Sequence, residues 1–366
     1  MNAATLPSGG LAPGSVIGIA GGGQLGRMLA MAAARLGFHT IIFDPAQACP
    51  AAQSANSQIV ASFDDEAARE KLATECDVIT YEFENIPLAF VKQISQTTPV
   101  YPPPAALAVS QDRLAEKEFF GKLGITTAPF FEVNDSDELR QACERLGGPG
   151  ILKTRRMGYD GKGQIRLKPG DEAAMQAADE LAAKTPCILE GFVDFDHEIS
   201  VIAARGFDGG FGSFDPARNR HENGILRQSQ VPCGAGEELC NAAADIARQV
   251  TESLGYVGVI GIEFFVTPGG GLVANEFAPR VHNSGHWTEA ACAVSQFEQH
   301  IRAICGLPLA ATDRHSDCVM TNLIGLDVES LPLLLAEPGT LVHLYGKSEI
   351  RDGRKMGHVT RLLPKR

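Results

Sequence analysis

Residues 16–100 alternate short apolar runs with helix-like stretches, and this alternation limits the fold more than any other feature of the sequence. The runs VIGIA, TIIFD, QIVAS and DVITYEFE predict strands, and the stretches near 25–36 and 65–75 predict helices. Alternation of this kind produces parallel βαβ units, in which ligands bind beyond the carboxyl ends of the strands. We therefore expect an N-terminal Rossmann-like parallel sheet over residues 16–111, preceded by a loose N-terminal tail at 1–15.

The first predicted strand is followed by Gly21-x-Gly23-x-x-Gly26, the spacing of a dinucleotide-binding turn. Asp44 ends the next strand, near where a ribose-binding acid lies in such enzymes. The glycines therefore have two interpretations. They form either an NAD site, which would make the chain a dehydrogenase, or a glycine turn with another use. Residues 81–85 also follow a strand and are expected to face the same crevice.

Composition argues against several classes of protein for this chain of 366 residues. Its formal net charge of −12 disfavours a nucleic-acid or anionic-membrane surface, since those partners need clustered Lys and Arg. Its apolar runs are shorter than a bilayer span. The nine cysteines are scattered without a C-x-x-C pair, which is typical of reduced thiols in a cytosolic enzyme. We therefore expect a cytoplasmic protein without nucleic-acid or membrane partners.

Consecutive prolines in TPVYPPPAAL end the alternating pattern, because they cannot continue a helix or a central strand. We therefore predict a domain boundary at about 102–112. A second unit, over 112–190, begins with a predicted helix that ends at Gly124. Its strand signals lie in GPGILKTRR, GQIRLKP and CILEGFV, and a helix is predicted near 171–183.

The remaining residues, 191–366, form a third predicted unit with a mainly β C-terminal region over about 311–366. Strands are predicted in HEISVIAAR, near 225–231, and in VGVIGIEFFVT and GLVANEF. Helices are predicted near 237–254 and over about 288–305. The fold class is therefore α/β in the N-terminal part and α+β in the rest.

The stretch GIEFFVTPGGGLVANEF predicts a β-hairpin that pairs two glutamates. With Gly269-Gly270 as a two-residue loop, Glu263 lies opposite Glu276 on the same face. Like charges so placed repel, and a bound divalent cation would remove the repulsion. The alternative is a slipped register that points one glutamate to solvent.

Lys153 ends an apolar strand and precedes a loop that contains Gly158, Gly161 and Gly163. Glycines let backbone N–H groups approach phosphate oxygens, and the lysine adds a positive charge. The loop lacks the Gly-Lys-Ser/Thr arrangement of a P-loop, so a plain hairpin turn is the alternative.

The stretch CILEGFVDFDHEISV places Glu190 and Glu198 on either side of a short turn between two predicted strands. Such a hinge can offer backbone groups to a purine edge and a carboxylate to ribose hydroxyls. Two surface carboxylates are the alternative.

In this order, the lysine strand, the hinge and the paired glutamates followed by an arginine resemble the ATP-grasp superfamily. Within it, GGGQLGRML, YEFENIP, GYDGKGQ, NEFAPRVHNSGHWTEA and GRKMGH resemble the 5-(carboxyamino)imidazole ribonucleotide synthases, from residue 16 to about 361. The resemblance implies a homodimeric C–N ligase of purine biosynthesis, with a pre-ATP-grasp domain, an ATP-grasp lid domain at 112–190 and a central domain at 191–366. ATP, bicarbonate and 5-aminoimidazole ribonucleotide (AIR) would give the carboxylated nucleotide through carboxyphosphate, with ADP and phosphate released.

The same resemblance implies site residues, and those for ATP form the largest set. ATP would contact Arg113, Lys153, Gly158, Tyr159, Asp160, Gly161, Lys162, Gly163, Gln164, Glu190, Gly191, Phe192, Val193, Glu198, His221, Asn275 and Glu276. One or two Mg2+ ions would bind Glu263 and Glu276. Ala278 stands where many ATP-grasp proteins have Asn, so the metal would have one protein ligand fewer unless Asn275 or water compensates.

For the acceptor, the resemblance implies a site built mainly from the N-terminal loop and the C-terminal region. AIR would contact Gln24, Leu25, Glu82, Arg280, Arg354 and Lys355. Catalytic roles would fall to Arg280, at the bicarbonate position, and to Tyr159, Asp160 and Lys355. Arg354 and Lys355 suit a 5′-phosphate, and a basic turn is the alternative.

Three competing functions remain to be weighed. A dehydrogenase explains the glycine turn and Asp44 and nothing after them. A non-enzymatic nucleotide-binding module explains the glycine loops and has no need of the glutamate pair with Arg280. Another ATP-grasp ligase, acting on formate or joining a carboxylate to an amine, would share Lys153, Glu263 and Glu276 and differ in its acceptor site.

Overall fold

The computed structural model describes residues 9–158 and 163–366, and its N-terminal unit is a parallel sheet covered by helices. The strands are β1 (Val16–Ala20), β2 (His39–Phe43), β3 (Ser57–Ile59) and β4 (Val78–Tyr81). The helices are α1 (Gln24–Arg35), α2 (Glu66–Glu75), α3 (Leu88–Ile94) and α4 (Pro104–Ser110), with a 3-10 turn at Ala51–Ser54. The strand order β3-β2-β1-β4, parallel throughout, confirms the predicted Rossmann-like sheet.

The second unit is a four-stranded antiparallel sheet with three helices. It contains α5 (Arg113–Lys122), β5 (Phe130–Val133), α6 (Ser136–Leu146), β6 (Gly150–Thr154), β7 (Gln164–Leu167), α7 (Glu172–Ala182) and β8 (Cys187–Gly191). The strand order is β5-β8-β6-β7. Asp112, Asp135 and Asp171 cap the three helices through their carboxylates. The sequence prediction missed β5 and α6, although Asp135 and the left-handed Gly147 mark both ends of α6.

The third unit is a nine-stranded antiparallel sheet. Its strands are β9 (His197–Arg205), β10 (Phe211–Ser213), β11 (Ala217–Glu222), β12 (Ile225–Val231), β13 (Gly258–Val266), β14 (Leu272–Ala278), β15 (Asp317–Ile324), β16 (Thr340–Leu344) and β17 (Lys355–Leu363). The order is β14-β13-β9-β11-β12-β15-β17-β16, with β10 beside β9. The C-terminal strands β15, β16 and β17 therefore extend the central sheet beyond β12.

The helices of the third unit are α8 (Glu237–Ser253), α9 (Thr288–Ala291), α10 (Gln296–Ile304) and α11 (Leu331–Ala336), with 3-10 turns at Asn283–Gly285 and Gly325–Ser330. The prediction of one helix over about 288–305 is wrong, because the chain breaks between α9 and α10. Cys292 pairs with Arg314 in an isolated β-bridge, and Ser295 is extended and caps α10 by accepting from the Glu298 N–H. Among the described residues, none of the helices is long and apolar enough to cross a membrane.

The loop of the β13–β14 hairpin differs from the prediction. It spans residues 267–271 rather than Gly269-Gly270 alone, and it closes with a hydrogen bond from the Thr267 N–H to the Gly271 carbonyl. The register next to this loop pairs Val266 with Leu272, one step away from the predicted register.

Candidate active site

One cleft of about 1390 Å³ is lined by residues from all three units. It brings together most of the predicted site residues, namely Gln24, Leu25, Glu82, Arg113, Lys153, Gly158, Gln164, Phe192, Val193, Glu198, His221, Glu263, Asn275, Glu276, Arg280 and Lys355. Ala278 lines the same cleft. Residues that lie far apart in the sequence, such as Gln24 and Lys355, therefore line the same cleft.

A few predicted residues do not line this cleft. Tyr159, Asp160, Gly161 and Lys162 lie outside the described residues. Within the described part of the chain, the lining also does not include Gly163, the buried Glu190, Gly191 or Arg354. The Arg354 guanidinium donates to the Glu349 carbonyl at 2.9 Å, while the neighbouring Lys355 lines the cleft. The structure thus brings one of the two cations of GRKMGH to the cleft.

The glycine turn at the start of α1 binds a carboxylate of the protein itself. Glu82, directly after β4, accepts hydrogen bonds from the Gly23 N–H and, at 2.8 Å, from the Gly26 N–H. A Cβ added to Gly23 would lie 2.5 Å from the Glu82 Oε1, so glycine is needed for this approach. Helix N-terminal amides of this kind hold the pyrophosphate in dinucleotide-binding proteins. Because Glu82 takes these donors, the geometry disfavours the NAD interpretation.

Asp44 also serves the glycine turn. Its Oδ2 accepts from the Gly22 N–H at 2.7 Å and its Oδ1 from the Ala46 N–H at 2.8 Å. The acid that the dinucleotide interpretation assigns to ribose therefore braces the loop. Burial raises the pKa of Glu82, and the two backbone hydrogen bonds oppose that rise.

Arg280 is oriented by Glu84, a residue that the sequence analysis did not select. The Arg280 Nε donates to the Glu84 Oε2, and its Nη1 donates to the Val281 carbonyl at 3.0 Å. Burial would raise the pKa of Glu84, but the Arg280 guanidinium outweighs it and lowers the pKa to about 2. Glu84 stands two residues after Glu82 in YEFENIP, and this i,i+2 spacing after a strand was the available signal.

A buried cluster of two lysines around one carboxylate adjoins the cleft through Lys153. The Glu190 Oε2 is 3.0 Å from the Lys153 Nζ and 3.5 Å from the Lys117 Nζ. Burial lowers the pKa of Lys153, and the Glu190 charge opposes that effect. Burial would raise the pKa of Glu190, but the two lysines outweigh it and lower the pKa. The cluster carries an excess positive charge, which suits phosphate oxygens.

The glutamate pair is confirmed in its predicted register. Glu263 lies opposite Glu276 because a β-bulge beside Glu263 shifts the register back by one residue. The pKa of Glu263 is raised to about 7, first by burial and then by the charge of Glu276, while His221 opposes the rise. A pair of like charges that faces the cleft, with Glu263 largely buried and Glu276 half-exposed, is the donor set that a hard divalent cation stabilises. The residues present therefore fit Mg2+.

Helix α5 holds the bulge in place through hydrogen bonds to the backbone of β14. The extra residue of the bulge is Asn275, whose carbonyl accepts from the Lys117 Nζ at 2.6 Å. Two residues further on, the Phe277 N–H donates to the Glu116 Oε1 at 2.8 Å. Burial, and then the charge of Glu276, raises the pKa of Glu116 to about 8. Glu116 and Lys117 were missed, although Lys117 follows Arg113 by one helical turn.

Two histidines beside the glutamate pair have pKa values that are shifted in opposite directions. His221 bonds through Nδ1 to the Glu198 Oε2, and this bond, with the charge of Glu263, raises the pKa of His221 although burial opposes it. The His282 Nε2 is 3.8 Å from the Glu263 Oε1. Burial, and then the charges of Arg280 and Lys355, lowers the pKa of His282 to about 3.

Comparison with known proteins covers nearly the whole chain. Residues 15–111 match the ribonucleotide synthetase preATP-grasp domain, residues 118–297 the ATP-grasp domain, and residues 318–366 the phosphoribosylaminoimidazole carboxylase C-terminal domain. The N5-carboxyaminoimidazole ribonucleotide synthase of Brucella melitensis is 59% identical over 357 residues, which cover 97% of this chain and 98% of the relative.

Two solved structures are similar over almost their full length. An ADP complex of an N5-carboxyaminoimidazole ribonucleotide synthetase has a TM-score of 0.94 at 42% identity, and the match covers 97% of this chain and 94% of that chain. The N5-carboxyaminoimidazole synthase of Aspergillus clavatus, in complex with ADP and 5-aminoimidazole ribonucleotide, has a TM-score of 0.90 at 30% identity. That match covers 96% of this chain and 95% of that chain.

Proposed function

The chain belongs to the N5-carboxyaminoimidazole ribonucleotide synthase family, and on this basis we propose how its cleft carries out the reaction. It is an ATP-grasp ligase that uses ATP to carboxylate AIR in purine biosynthesis. The observation that carries this function is the cleft itself, which Lys153 of the lysine cluster, the glutamate pair and Arg280 all line. We take bicarbonate as the source of the carboxyl group.

We assign the ATP phosphates to the lysine cluster and to Arg113. Arg113 is 3.3 Å from the Glu276 Oε2 and donates to the Gly158 carbonyl at 3.2 Å, so it lies between the glutamate pair and the predicted phosphate loop. Adenine is assigned to residues 190–193, of which Phe192 and Val193 line the cleft together with Glu198 and His221. Phosphoryl transfer needs charge neutralisation and in-line positioning more than a protein nucleophile, and these cations supply the charge.

We propose that Glu263 and Glu276 hold one or two Mg2+ ions. When bound, Mg2+ offsets the negative charge of the phosphate oxygens and of the glutamate pair. Asn275 lines the cleft next to Glu276 because the bulge re-aims this segment. We propose that Asn275 compensates for Ala278 in the metal shell.

The acceptor end is assigned to Arg280 and to the glycine turn. A bicarbonate oxygen held by Arg280 attacks the γ-phosphorus, ADP leaves, and carboxyphosphate forms. The AIR amine then attacks the carboxyl carbon and loses a proton. Phosphate leaves either in this step, when the amine attacks carboxyphosphate, or before it, when carboxyphosphate splits into CO2 and phosphate. Gln24, Leu25, Glu82 and Lys355 line the cleft where AIR would lie, and Glu84 fixes the Arg280 guanidinium.

An ADP-release assay tests this reaction. The purified protein should release ADP rapidly only when bicarbonate and AIR are both present. Rapid turnover with formate in place of bicarbonate, or reduction of NAD by any substrate, would contradict the proposal.

The metal assignment has its own variant. We expect Glu276→Gln to reduce ATP turnover by roughly 100-fold or more, because a ligand of the Mg2+ that offsets the transition-state charge is lost, while circular dichroism stays unchanged. Glu66→Gln, an exposed carboxylate on α2, is the matched control. Near-native turnover of Glu276→Gln would show that this carboxylate does not hold the metal.

We also propose a cytoplasmic homodimer with domains at 16–111, 112–190 and 191–366. All nine cysteines are free thiols, which supports a reducing compartment. Leu333 and Leu335 on α11 are strongly exposed, as expected of a surface that a second copy covers. Light scattering on the purified chain measures the oligomeric state, and a monomeric mass at micromolar concentration would overturn the dimer.

A further inference from the structure

Three potential metal ligands meet outside the cleft, on α9 and on two neighbouring strands. Glu289 lies in α9, while His343 on β16 and His358 on β17 are directly paired across the ladder. A cross-strand pair places both side chains on the same face of the sheet. Their rings are stacked, with centroids 5.3 Å apart.

The distances within this group suit coordination of one ion. The Glu289 Oε2 is 3.0 Å from the His343 Nδ1 and 3.7 Å from the His358 Nε2. One ligand atom from each of the three residues lies within 4.8 Å of the other two. Two ligands at zinc–ligand distances of about 2.1 Å in a tetrahedron are roughly 3.4 Å apart, so a small adjustment brings all three atoms onto one ion.

We propose that Glu289, His343 and His358 form a binding site for Zn2+ or a similar transition-metal ion, separate from the Mg2+ site of the cleft. Two imidazoles and one carboxylate are a recurrent zinc donor set, and imidazole favours such ions over Mg2+. The fourth position is open to water, since the side chains of Glu289 and His343 are 30% and 14% exposed.

A hydrogen bond to Tyr345 prepares His358 for this role. The buried Tyr345 hydroxyl is 3.0 Å from the His358 Nδ1, so the Nε2 that faces Glu289 is left with its lone pair when Nδ1 carries the proton. Burial, and then the charge of His343, lowers the pKa of His358 to about 3, so this imidazole is neutral at physiological pH. Neutral imidazole is the form that binds metals.

The hydrogen bond between Glu289 and His343 does not include His358. The 3.7 Å between the Glu289 Oε2 and the His358 Nε2 is too long for a hydrogen bond. This distance is close to the separation of roughly 3.4 Å between two ligands of one zinc ion. The bound ion would tie α9 to β16 and β17, and β17 begins with Lys355 of the cleft.

Cobalt binding tests the site independently of catalysis. The protein is stripped with a chelator, excess Mg2+ is added to occupy carboxylate sites, and Co2+ or Zn2+ is titrated. We expect one equivalent of Co2+ with the visible absorption of a low-coordinate, nitrogen-ligated ion. Glu289→Gln and His343→Gln should each weaken Zn2+ binding by more than about 100-fold, and Tyr345→Phe, outside the first shell, by about 10–100-fold.

His39→Gln is the matched control, because His39 is an exposed histidine at the start of β2. It should bind Co2+ and Zn2+ as the parent protein does, and circular dichroism of each variant verifies the fold. The site would be overturned if the parent protein bound Co2+ and Zn2+ no more tightly than Glu289→Gln does. It would also be overturned if Glu289→Gln and His343→Gln each still bound a full equivalent of the ion tightly.

Discussion

At the residue scale, the carboxylates of the cleft differ in pKa. Burial raises the pKa of each one, but the neighbouring charges that add to or oppose this rise differ. Arg280 keeps Glu84 ionised, with a pKa of about 2. At Glu263 and Glu116, burial and then the charge of Glu276 outweigh the neighbouring cations and raise the pKa values to about 7 and about 8. The cleft therefore carries less negative charge in the absence of a cation than its composition suggests.

This difference predicts a pH dependence of stability. The folded pKa of Glu263 lies above its ordinary value of 4.5, so its contribution to stability is full below that value and is lost as pH rises through about 7. Glu116 acts in the same direction. We expect the melting temperature of the ligand-free protein to fall between about pH 5 and pH 8, and to fall less with Mg2+ and ADP, which favour the ionised pair.

The variant Glu263→Gln separates this effect from other titrations. It should flatten part of the pH dependence in the ligand-free protein, whereas the exposed Glu66→Gln should leave it unchanged. A parent protein whose melting temperature rises across this pH range, with or without Mg2+, would contradict the assignment of Glu263.

At the element scale, the β13–β14 hairpin shows how a helix controls a strand. The bulge at Asn275 restores the pairing of Glu263 with Glu276, and α5 holds both sides of the bulge through Lys117 and Glu116. Bulges bend a strand and re-aim its side chains. Although α5 is not part of the sheet, it therefore positions Glu276, a predicted metal ligand.

The role of α5 predicts a contrast between two variants of Glu116. Glu116→Ala leaves the buried Phe277 N–H without its acceptor, which costs about 1–3 kcal/mol, and should raise the Mg2+ concentration needed for half-maximal activity. Glu116→Gln retains an acceptor and should resemble the parent protein in its Mg2+ dependence. An equal Mg2+ dependence for Glu116→Ala and Glu116→Gln would show that the hydrogen bond does not position Glu276.

The glycine turn predicts a second contrast between variants. In Gly23→Ala the new Cβ would lie 2.5 Å from the Glu82 Oε1 and displace this carboxylate. We expect a higher KM for AIR and little change in the KM for ATP. Gly121→Ala, where a Cβ meets nothing within 4 Å, is the control. A change in the KM for ATP alone would place ATP, rather than AIR, at the turn.

At the scale of the whole molecule, one hydrophobic core joins the N-terminal unit to the central sheet. Met28 and Leu29 of α1 belong to the same buried cluster as Ile301 and Ile304 of α10. The N-terminal unit therefore packs against the central sheet, and the glycine turn at the start of α1 is held on the same body as Arg280.

This arrangement predicts which nucleotide stabilises the protein. ADP with Mg2+ binds the folded chain only and should raise the melting temperature by a few degrees at saturation. NAD should produce no shift, since Glu82 takes the amide donors that its pyrophosphate needs. Differential scanning fluorimetry compares the two, and a shift with NAD as large as that with ADP would contradict this reading of the turn.

Local patterns in the sequence determined most of the secondary structure. Alternating apolar runs predict the parallel N-terminal strands, and the paired β runs predict the β13–β14 hairpin, because periodicity and turn residues act over a few positions. The same logic failed at residues 288–305, where the Ser295 cap and the bridge from Cys292 to Arg314 interrupt a helical pattern.

The tertiary structure alone decided which groups meet. The contacts of Glu82 with Gly23, of Glu84 with Arg280 and of Lys117 with Asn275 join distant parts of the chain, and each depends on how sheets and helices pack. The pairing of Glu263 with Glu276 was predicted from an incorrect loop and holds because of the bulge. A sequence motif specifies backbone shape through local sterics, whereas the occupant of that shape is set by long-range packing. The glycine turn therefore has the sequence and backbone shape of a dinucleotide-binding turn, but its N–H groups donate to Glu82.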